Sequence, residues 1–284
     1  MIKLFTNRTM IVIGAFLIAL FIFVLGDVTS GIATQLLIPN LLSSSTAAED
    51  TISLWATAIT PLIFIGWYAI NRNQTQFQLY LPFPRQKVLS RYLSSWLLGA
   101  LAIIIIWLIG LIFQAFTITT VWHNTNGFWI LAFLIGFGFQ GMSEEIVCRG
   151  YLQGKLTQAI GPKTAIIISS IFFAALHGAN NGVTVVALFN LILFGLLMAL
   201  VRDFTKNLWL CGAFHSAWNF VQGPILGVHV SGTYPSANIL LSQGTAHYTW
   251  ANGGDFGIEG SLLCSIIYVI MIAGVIYWHK RQQA

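Results

Sequence analysis

Residues 128–152, FWILAFLIGFGFQGMSEEIVCRGYL, form a long apolar run that contains two adjacent acids and an arginine. Only 7% of the chain is charged, so ionisable side chains inside such a run need a physical reason to be there. A charge within hydrocarbon costs at least ~2.5–3.5 kcal/mol on insertion scales, and such residues usually mark a functional site. The run therefore predicts a membrane helix that carries polar machinery.

The composition of the whole chain indicates an integral membrane protein. Its 284 residues are 57% hydrophobic with a mean hydropathy of +0.80, whereas a soluble globular protein carries about 25% charged residues. Spanning a bilayer takes about 20 mostly apolar residues. Eight apolar stretches are candidates, of which the fifth and seventh are short: 9–26, 52–70, 92–116, 128–152, 164–177, 183–201, 208–221 and 258–278.

The positions of Lys and Arg predict the orientation, because short cytoplasmic loops collect these residues. With eight spans and both termini in the cytoplasm, every one of the 13 cations except Arg149 lies on the cytoplasmic side. We therefore predict an all-α, polytopic membrane helix bundle with about eight transmembrane helices and both termini cytoplasmic. The expected organisation is a single integral-membrane domain over residues 1–284, in the cell membrane.

The first candidate motif is Glu144-Glu145 with Arg149. Glu145 and Arg149 are four residues apart, so they share one helix face and can pair. Glu144 points about 100° away, which leaves it to face a cavity, where a carboxylate suits the role of general base. The alternative is a structural Glu–Arg clamp between helices with no chemistry.

Two further motifs lie in later apolar stretches. Phe173 and His177 share a helix face near the end of the fifth stretch, and His215 and Asn219 do so within the seventh. Taken separately, His177 also suits an interface position or a helix C-terminus, and the other pair suits hydrogen bonding to a neighbouring helix.

Together the three motifs supply the parts of a peptidase. Such an enzyme needs a base that activates water and donors aimed at the oxyanion of the scissile carbonyl. Counting about 1.5 Å per residue from the nearest cytoplasmic cation places Glu144, His215 and His177 at depths of ~16, ~13 and ~21 Å. We expect the side chains to meet near the middle of the membrane, with His177 the outlier.

The ordered set Glu-Glu-x-x-x-Arg, Phe-x-x-x-His and His-x-x-x-Asn resembles the CPBP family of CAAX proteases and bacteriocin-processing proteins, also called the Abi family of intramembrane proteases. The resemblance covers about residues 128–222, which would form the catalytic core, and implies an all-α glutamate-type endopeptidase. By motif position it implies that Glu144 activates water with assistance from His177. It also implies an oxyanion hole formed by His215 and Asn219, and a site shaped by Glu145, Arg149 and Phe173.

Zinc is the alternative at the same residues, since Glu144, His177 and His215 could supply the three protein ligands that a catalytic zinc needs. The sequence has no HExxH pair on one helix. The resemblance favours a metal-free mechanism, so no cofactor is expected.

The leading hypothesis is thus a CAAX-protease-like endopeptidase that hydrolyses a peptide bond of a membrane-associated peptide or protein. The substrate, free or membrane-anchored, is expected from the cytoplasmic side or laterally through the lipid bilayer. Dispersed cations exclude nucleic acid as a partner. Two other classes stay open: a non-catalytic bacteriocin-immunity or scaffold protein, and a proton-coupled transporter, which intramembrane ionisable residues also fit.

Overall fold

The computed structural model describes residues 8–41, 45–71, 80–121 and 127–284, which form a bundle of helices with a small two-stranded sheet at one end. The helical bundle predicted from the sequence is confirmed. The helices are α1 Arg8–Leu41, α2 Thr46–Ala56, α3 Ile59–Asn71, α4 Val88–Ile112, α5 Gly127–Glu145, α6 Gln153–Ile160, α7 Pro162–Leu176, α8 Val185–Thr205, α9 Leu208–Phe220, α10 Thr249–Asn252 and α11 Leu262–Gln283. Strands β1 Phe116–Thr120 and β2 Leu240–Gly244 pair antiparallel.

Within the described residues, six helical segments are long and apolar enough to cross a membrane, which makes this a multi-pass membrane protein. They are Arg8–Leu36, Thr46–Trp67, Val88–Ile112, Gly127–Ile160, Val185–Thr205 and Leu262–Gln283. The two stretches that the sequence marks as short form α7 and α9, with 15 and 13 residues. Residues 211–220 of α9 are all buried, so this short helix is enclosed by its neighbours. The eight-span count and the position of the termini stay predictions.

Residues at the helix ends explain where the later helices begin. The side-chain oxygens of Thr184, Asn207 and Ser261 accept backbone N–H groups in the first turns of α8, α9 and α11. Gly161, with φ of +86°, adopts a conformation that suits glycine, and Pro162 then starts α7. Gly161 and Pro162 turn the chain back after α6, so that α7 packs beside α6 and the residues 146–152 that precede it.

Small residues let α5 and α9 approach closely. A side-chain carbon on Gly141 would lie 2.8 Å from the backbone nitrogen of Ser216. Close approach of backbones through small residues is typical of membrane helix pairs. The result is that the last turn of α5, with Glu144, lies against the segment of α9 that carries His215.

The cation-bearing helix ends lie together at one end of the bundle, the cationic end. Lys155 of α6 lies over the Tyr80 ring, 4.7 Å from its centre, and the ring of Phe204 near the end of α8 stacks on His279 near the end of α11. Lys3 and Arg72 lie outside the described residues. The cations of the described segments near this end are Arg8, Arg85, Lys87, Arg91, Lys155, Lys163, Arg202, Lys206, Lys280 and Arg281.

The opposite end is covered by residues 226–261, the cap segment, which contains no Lys or Arg. Asp50 of α2 accepts a hydrogen bond from the backbone N–H of Ser236 at 3.0 Å, and Asn180 donates to the carbonyl of Ser231 at 2.8 Å. The sequence, rich in Gly, Ser and Asn over residues 223–257, favours a plain loop. In the structure these contacts fix the cap segment to two separate parts of the bundle.

Glu259 is a buried anchor within the cap segment. Its Oε2 accepts hydrogen bonds from the backbone N–H of Ser231 at 2.6 Å and from the hydroxyl of the same residue at 2.8 Å. Burial raises the pKa of the Glu259 carboxyl, and the hydrogen bonds from Ser231 oppose that shift. The carboxyl therefore holds two distant parts of the cap segment together at some electrostatic cost.

We expect Glu259→Ala to destabilise the protein by about 1–3 kcal/mol, because the backbone N–H of Ser231 loses its buried acceptor. Glu259→Gln keeps an acceptor oxygen and should recover most of that loss.

A raised pKa means that the folded state binds the proton more tightly, so the Glu259 contribution to stability falls as pH rises above the ordinary carboxyl range. Thermal unfolding in detergent at several pH values measures both effects. Equal stability of the Ala and Gln variants would contradict the anchor.

Candidate active site

Glu144, in the last turn of α5, is the centre of the candidate site. Its Oε1 accepts a hydrogen bond from Nε2 of Gln140, one helical turn earlier. Its Oε2 is buried and has no hydrogen-bond partner among the described residues. This oxygen lies 3.8 Å from Nε2 of His177 and 3.9 Å from Nε2 of His215. The carboxylate from the first motif and the imidazoles from the other two therefore converge.

Hydrogen bonds at the far side of each imidazole fix its orientation. Nδ1 of His177 lies 3.0 Å from the carbonyl oxygen of Phe173, and Nδ1 of His215 lies 3.0 Å from Oε1 of Glu145. Carbonyl and carboxylate oxygens only accept, so each Nδ1 carries a hydrogen and donates it. Each ring turns Nε2 toward Glu144, as a lone pair when the ring is neutral and as a donor when it is protonated.

The Glu145–Arg149 pair forms as its spacing predicts. The distance from Nη1 of Arg149 to Oε1 of Glu145 is 3.0 Å, and both side chains are fully buried. The guanidinium carbon lies 4.2 Å from the centre of the Phe173 ring on α7, a cation–π contact. Because Glu145 also accepts from His215 on α9, the pair joins three helices around the site.

The backbone of the motif differs from the regular helix that the sequence suggests. Residues Ile146–Leu152 form π-helical turns between α5 and α6, and Val221–Ile225 do so directly after α9. Such turns are rare in proteins, and those that occur are often found at functional sites. Here one π-helical stretch begins directly after Glu145 and the other begins two residues after Asn219.

Gln140 joins Glu144 to Asn219, a link that sequence reasoning missed. The Gln140 amide nitrogen must face the Glu144 carboxylate, which only accepts, so its Oε1 faces Asn219. Nδ2 of Asn219 donates to that oxygen at 2.9 Å. The available signal was the spacing, since Gln140 lies four residues before Glu144 in an otherwise apolar run. Gln140 thereby sets the orientation of the Asn219 amide.

A cavity of about 340 Å³, the Glu144 pocket, contains three of the four predicted catalytic residues: Glu144, His177 and Asn219. His215 does not line it but lies beside Glu144. The remaining walls come from α1, α2, α5, the end of α7 with the turn after it, and the cap segment; they include Asp27, Asp50, Ser231 and Thr233. A larger cavity of about 860 Å³ lies within the cap segment against β2 and contains none of the motif residues, so it is set apart from this chemistry.

The first apolar stretch ends at residue 26, which predicts that Asp27 lies beyond the span on the external side. Helix α1 continues to Leu41, so Asp27 lies within it and lines the Glu144 pocket. The apolar run ends at residue 26, but a polar residue near a membrane surface does not end a helix. The first helix therefore contributes to the site.

The three candidate zinc ligands, Glu144, His177 and His215, can be judged by the distances between their ligand atoms. Tetrahedral zinc with bonds of about 2.0–2.1 Å holds its ligand atoms about 3.3 Å apart. The two Nε2 atoms lie 3.8 and 3.9 Å from Glu144 Oε2. Over the described segments, no group of three or more His, Cys, Asp or Glu side chains has a metal-holding arrangement. The two imidazole nitrogens thus lie farther from the Glu144 oxygen than the ligand atoms of a tetrahedral zinc.

We expect Gln140→Leu to lower kcat on the order of 100-fold with little change in KM, because Glu144 and Asn219 lose their common partner. Steady-state kinetics on a cleaved peptide, together with thermal unfolding, separates misplacement from loss of the fold. A rise in KM as large as the fall in kcat would contradict a positioning role for Gln140. So would unchanged values of both constants.

Comparison with known families agrees with the motif analysis. Residues 125–221 match a family model described as Rce1-like, type II CAAX prenyl endopeptidase Rce1-like. The matched segment runs from just before α5 to just after α9 and contains all three motifs. The match confirms the resemblance to the CPBP family. A comparison with curated proteins finds no match to the chain.

Proposed function

We propose that this membrane protein, similar over residues 125–221 to Rce1-like endopeptidases, is an intramembrane endopeptidase of the glutamate type. One observation carries the proposal: the unpartnered, buried Oε2 of Glu144 is faced by Nε2 of both His177 and His215. Glu145 differs, because its Oε1 is held directly by Arg149 and His215 at 3.0 Å, whereas the two imidazole nitrogens face Glu144 across a gap. The proposed location is the cell membrane.

The spacing of Glu144, His177 and His215 supports water activation by Glu144 in this proposal. Distances of 3.8 and 3.9 Å are too long for direct hydrogen bonds but suit a bridging water molecule. Such a water donates one hydrogen to Glu144 Oε2 and the other to the Nε2 lone pair of neutral His177. Glu144 takes the first proton as the water oxygen attacks the scissile carbonyl carbon, and later returns it to the leaving amine.

Two side chains of α9 stabilise the oxyanion in this proposal. Asn219 uses one Nδ2 hydrogen on Gln140 and keeps the other for the developing oxyanion. His215 commits its Nδ1 hydrogen to Glu145, so it donates through Nε2 only as an imidazolium. The carboxylates of Glu144 and Glu145 stabilise that cation. A single oxyanion donor contributes about 10²–10³ in kcat.

Glu145, Arg149 and Phe173 shape the site in this proposal. Glu145 holds the His215 ring, Arg149 balances the charge of Glu145, and Phe173 packs against the guanidinium and the His177 ring. None of the three needs to touch the substrate. Their loss is expected to act through the position of the two imidazoles.

The proposed mechanism needs no metal, so EDTA and 1,10-phenanthroline should leave cleavage unchanged. The test uses the purified protein in proteoliposomes with a peptide mixture, and mass spectrometry detects new peptide termini. A zinc peptidase assayed alongside confirms that the chelators act. Loss of cleavage that added zinc restores would contradict the metal-free mechanism. Absence of new termini together with ion-coupled flux would favour a transporter instead.

A further inference from the structure

Resting on the proposed function, we propose that the Glu144 pocket opens on the extracytoplasmic face and takes a positively charged segment of an exported peptide or protein. This differs from the cytoplasmic approach expected from the sequence alone. The argument has three parts: which end of the bundle faces the cytoplasm, toward which end the pocket opens, and which charges line it.

The cationic end faces the cytoplasm by the bias of Lys and Arg toward cytoplasmic loops. The ten cations already named near it come from five different helix ends or connections, and residues 207–279 contain none. Three contacts link these ends to one another: Lys155 with Tyr80, the Leu208 N–H with the Pro82 carbonyl at 2.9 Å, and Phe204 with His279. The cap segment, at the opposite end, is therefore extracytoplasmic.

The Glu144 pocket is built toward the cap segment. Its walls include Asp50, Asn180, Ser231 and Thr233, and two hydrogen bonds described above tie these same regions to each other. Thr233 is solvent-exposed, so the pocket reaches the surface beside the cap segment. None of the pocket-lining residues in the described segments belongs to the cationic end.

Packed side chains close the route from the cationic end. The residues that follow the motif toward that end are almost completely buried: Val147, Cys148, Tyr151, Leu152 and Leu156. The ring of Tyr151 packs on those of Phe64, Trp67 and Tyr80, with centroids 5.4 to 6.4 Å apart. A cytoplasmic peptide would have to displace this aromatic cluster to reach Glu144.

The charges in the pocket favour a cationic substrate. Its ionisable lining residues are Asp27, Asp50, Glu144 and His177, and the described lining contains no Lys or Arg. Asp27 is exposed, and the buried Oε2 of Glu144 has no partner among the described residues, which marks the pocket as a place where a ligand binds. Pockets of one charge sign attract segments of the opposite sign. An amino terminus or a Lys- or Arg-containing segment fits this lining.

Cysteine labelling tests the sidedness without requiring catalysis, so its failure is distinguishable from failure of the proposed function. Thr233→Cys reports on the pocket mouth and Gln283→Cys on the end of α11, and both positions are exposed. The native Cys148, Cys211 and Cys264 are buried, which keeps background labelling low. A membrane-impermeant maleimide is applied to intact spheroplasts and to permeabilised ones.

The proposal predicts at least tenfold stronger labelling of Thr233→Cys than of Gln283→Cys in intact spheroplasts, and similar labelling of both after permeabilisation. Strong labelling of Gln283→Cys in intact spheroplasts, with Thr233→Cys protected, would overturn it. Equal labelling of both in intact spheroplasts would also contradict a single orientation.

Charge preference is measured with two membrane-impermeant, randomised peptide mixtures of equal length, one rich in Lys and one rich in Glu, added to intact spheroplasts. We expect at least tenfold more Glu144-dependent products from the Lys mixture, and a smaller preference in Asp27→Asn. Equal products from both mixtures, or an excess from the Glu mixture, would overturn the charge assignment.

Discussion

Glu144→Gln should reduce peptide cleavage about 10³-fold while the protein stays folded. The amide keeps the size of the side chain and an oxygen that can accept from Gln140, but it cannot take a proton from water. General base catalysis contributes typically about 10²–10⁴ in rate. Cleavage rates in proteoliposomes and thermal unfolding in detergent measure the two parts of this expectation.

Glu49→Gln is the matched control for this variant. Glu49 is an exposed carboxylate in the first turn of α2, so the same chemical change is made away from the motif residues. Its cleavage rate should equal that of the unmodified protein. A Glu144→Gln variant that keeps a tenth or more of the activity would contradict the role of Glu144 as base.

Arg149→Ala should destabilise the protein by about 3–5 kcal/mol. The change leaves the fully buried carboxylate of Glu145 without its cation, and breaking a buried pair by removing one partner carries a cost of this size. It also removes the guanidinium from the Phe173 ring. Thermal unfolding in detergent and the yield of folded protein measure the loss.

Two further variants separate the buried pair from a general effect of charge. Arg85→Ala removes an exposed cation and should leave stability unchanged. The double variant Glu145→Gln, Arg149→Leu removes both charges and should recover much of the stability, because no charge is left unpaired. Its cleavage should stay low, since His215 loses its carboxylate partner. A stable, fully active Arg149→Ala protein would contradict the stabilising role of the Glu145–Arg149 pair.

The convergence of the motif residues was predictable because spacing fixes helix faces. Glu145 with Arg149, and His215 with Asn219, lie four residues apart; the first two form an ion pair, and the other two contact Glu145 and Gln140 of α5. The depth count made His177 an outlier, yet its Nε2 lies 3.8 Å from Glu144. The depth count uses backbone position only and leaves out the reach of the side chain. His177 directly follows the last residue of α7, so its side chain is not bound to the regular helix direction.

The parts that sequence reasoning missed depend on tertiary contacts. The spacing of Gln140 to Glu144 indicates a shared helix face, but its link to Asn219 depends on how α5 packs against α9. Asp27 enters the pocket because α1 extends beyond its apolar run. The cap segment has no hydrophobic period, and its position depends on tertiary contacts such as those of Ser236 with Asp50 and of Ser231 with Asn180.

The π-helical turns after Glu145 could not be predicted from the sequence either. A hydrophobic pattern of about 3.6 residues cannot distinguish a regular helix from one with a local π turn. The turns reposition Arg149 and the residues that follow it, while the Glu145–Arg149 pair still forms.

The most direct test of the central proposal compares the peptides in membranes and medium of cells that carry either the unmodified protein or Glu144→Gln. Mass spectrometry of their termini identifies bonds cut in one strain and intact in the other. The account predicts a set of internal cleavages that is present with the unmodified protein and lost with Glu144→Gln. Identical peptide termini in the two strains would contradict it.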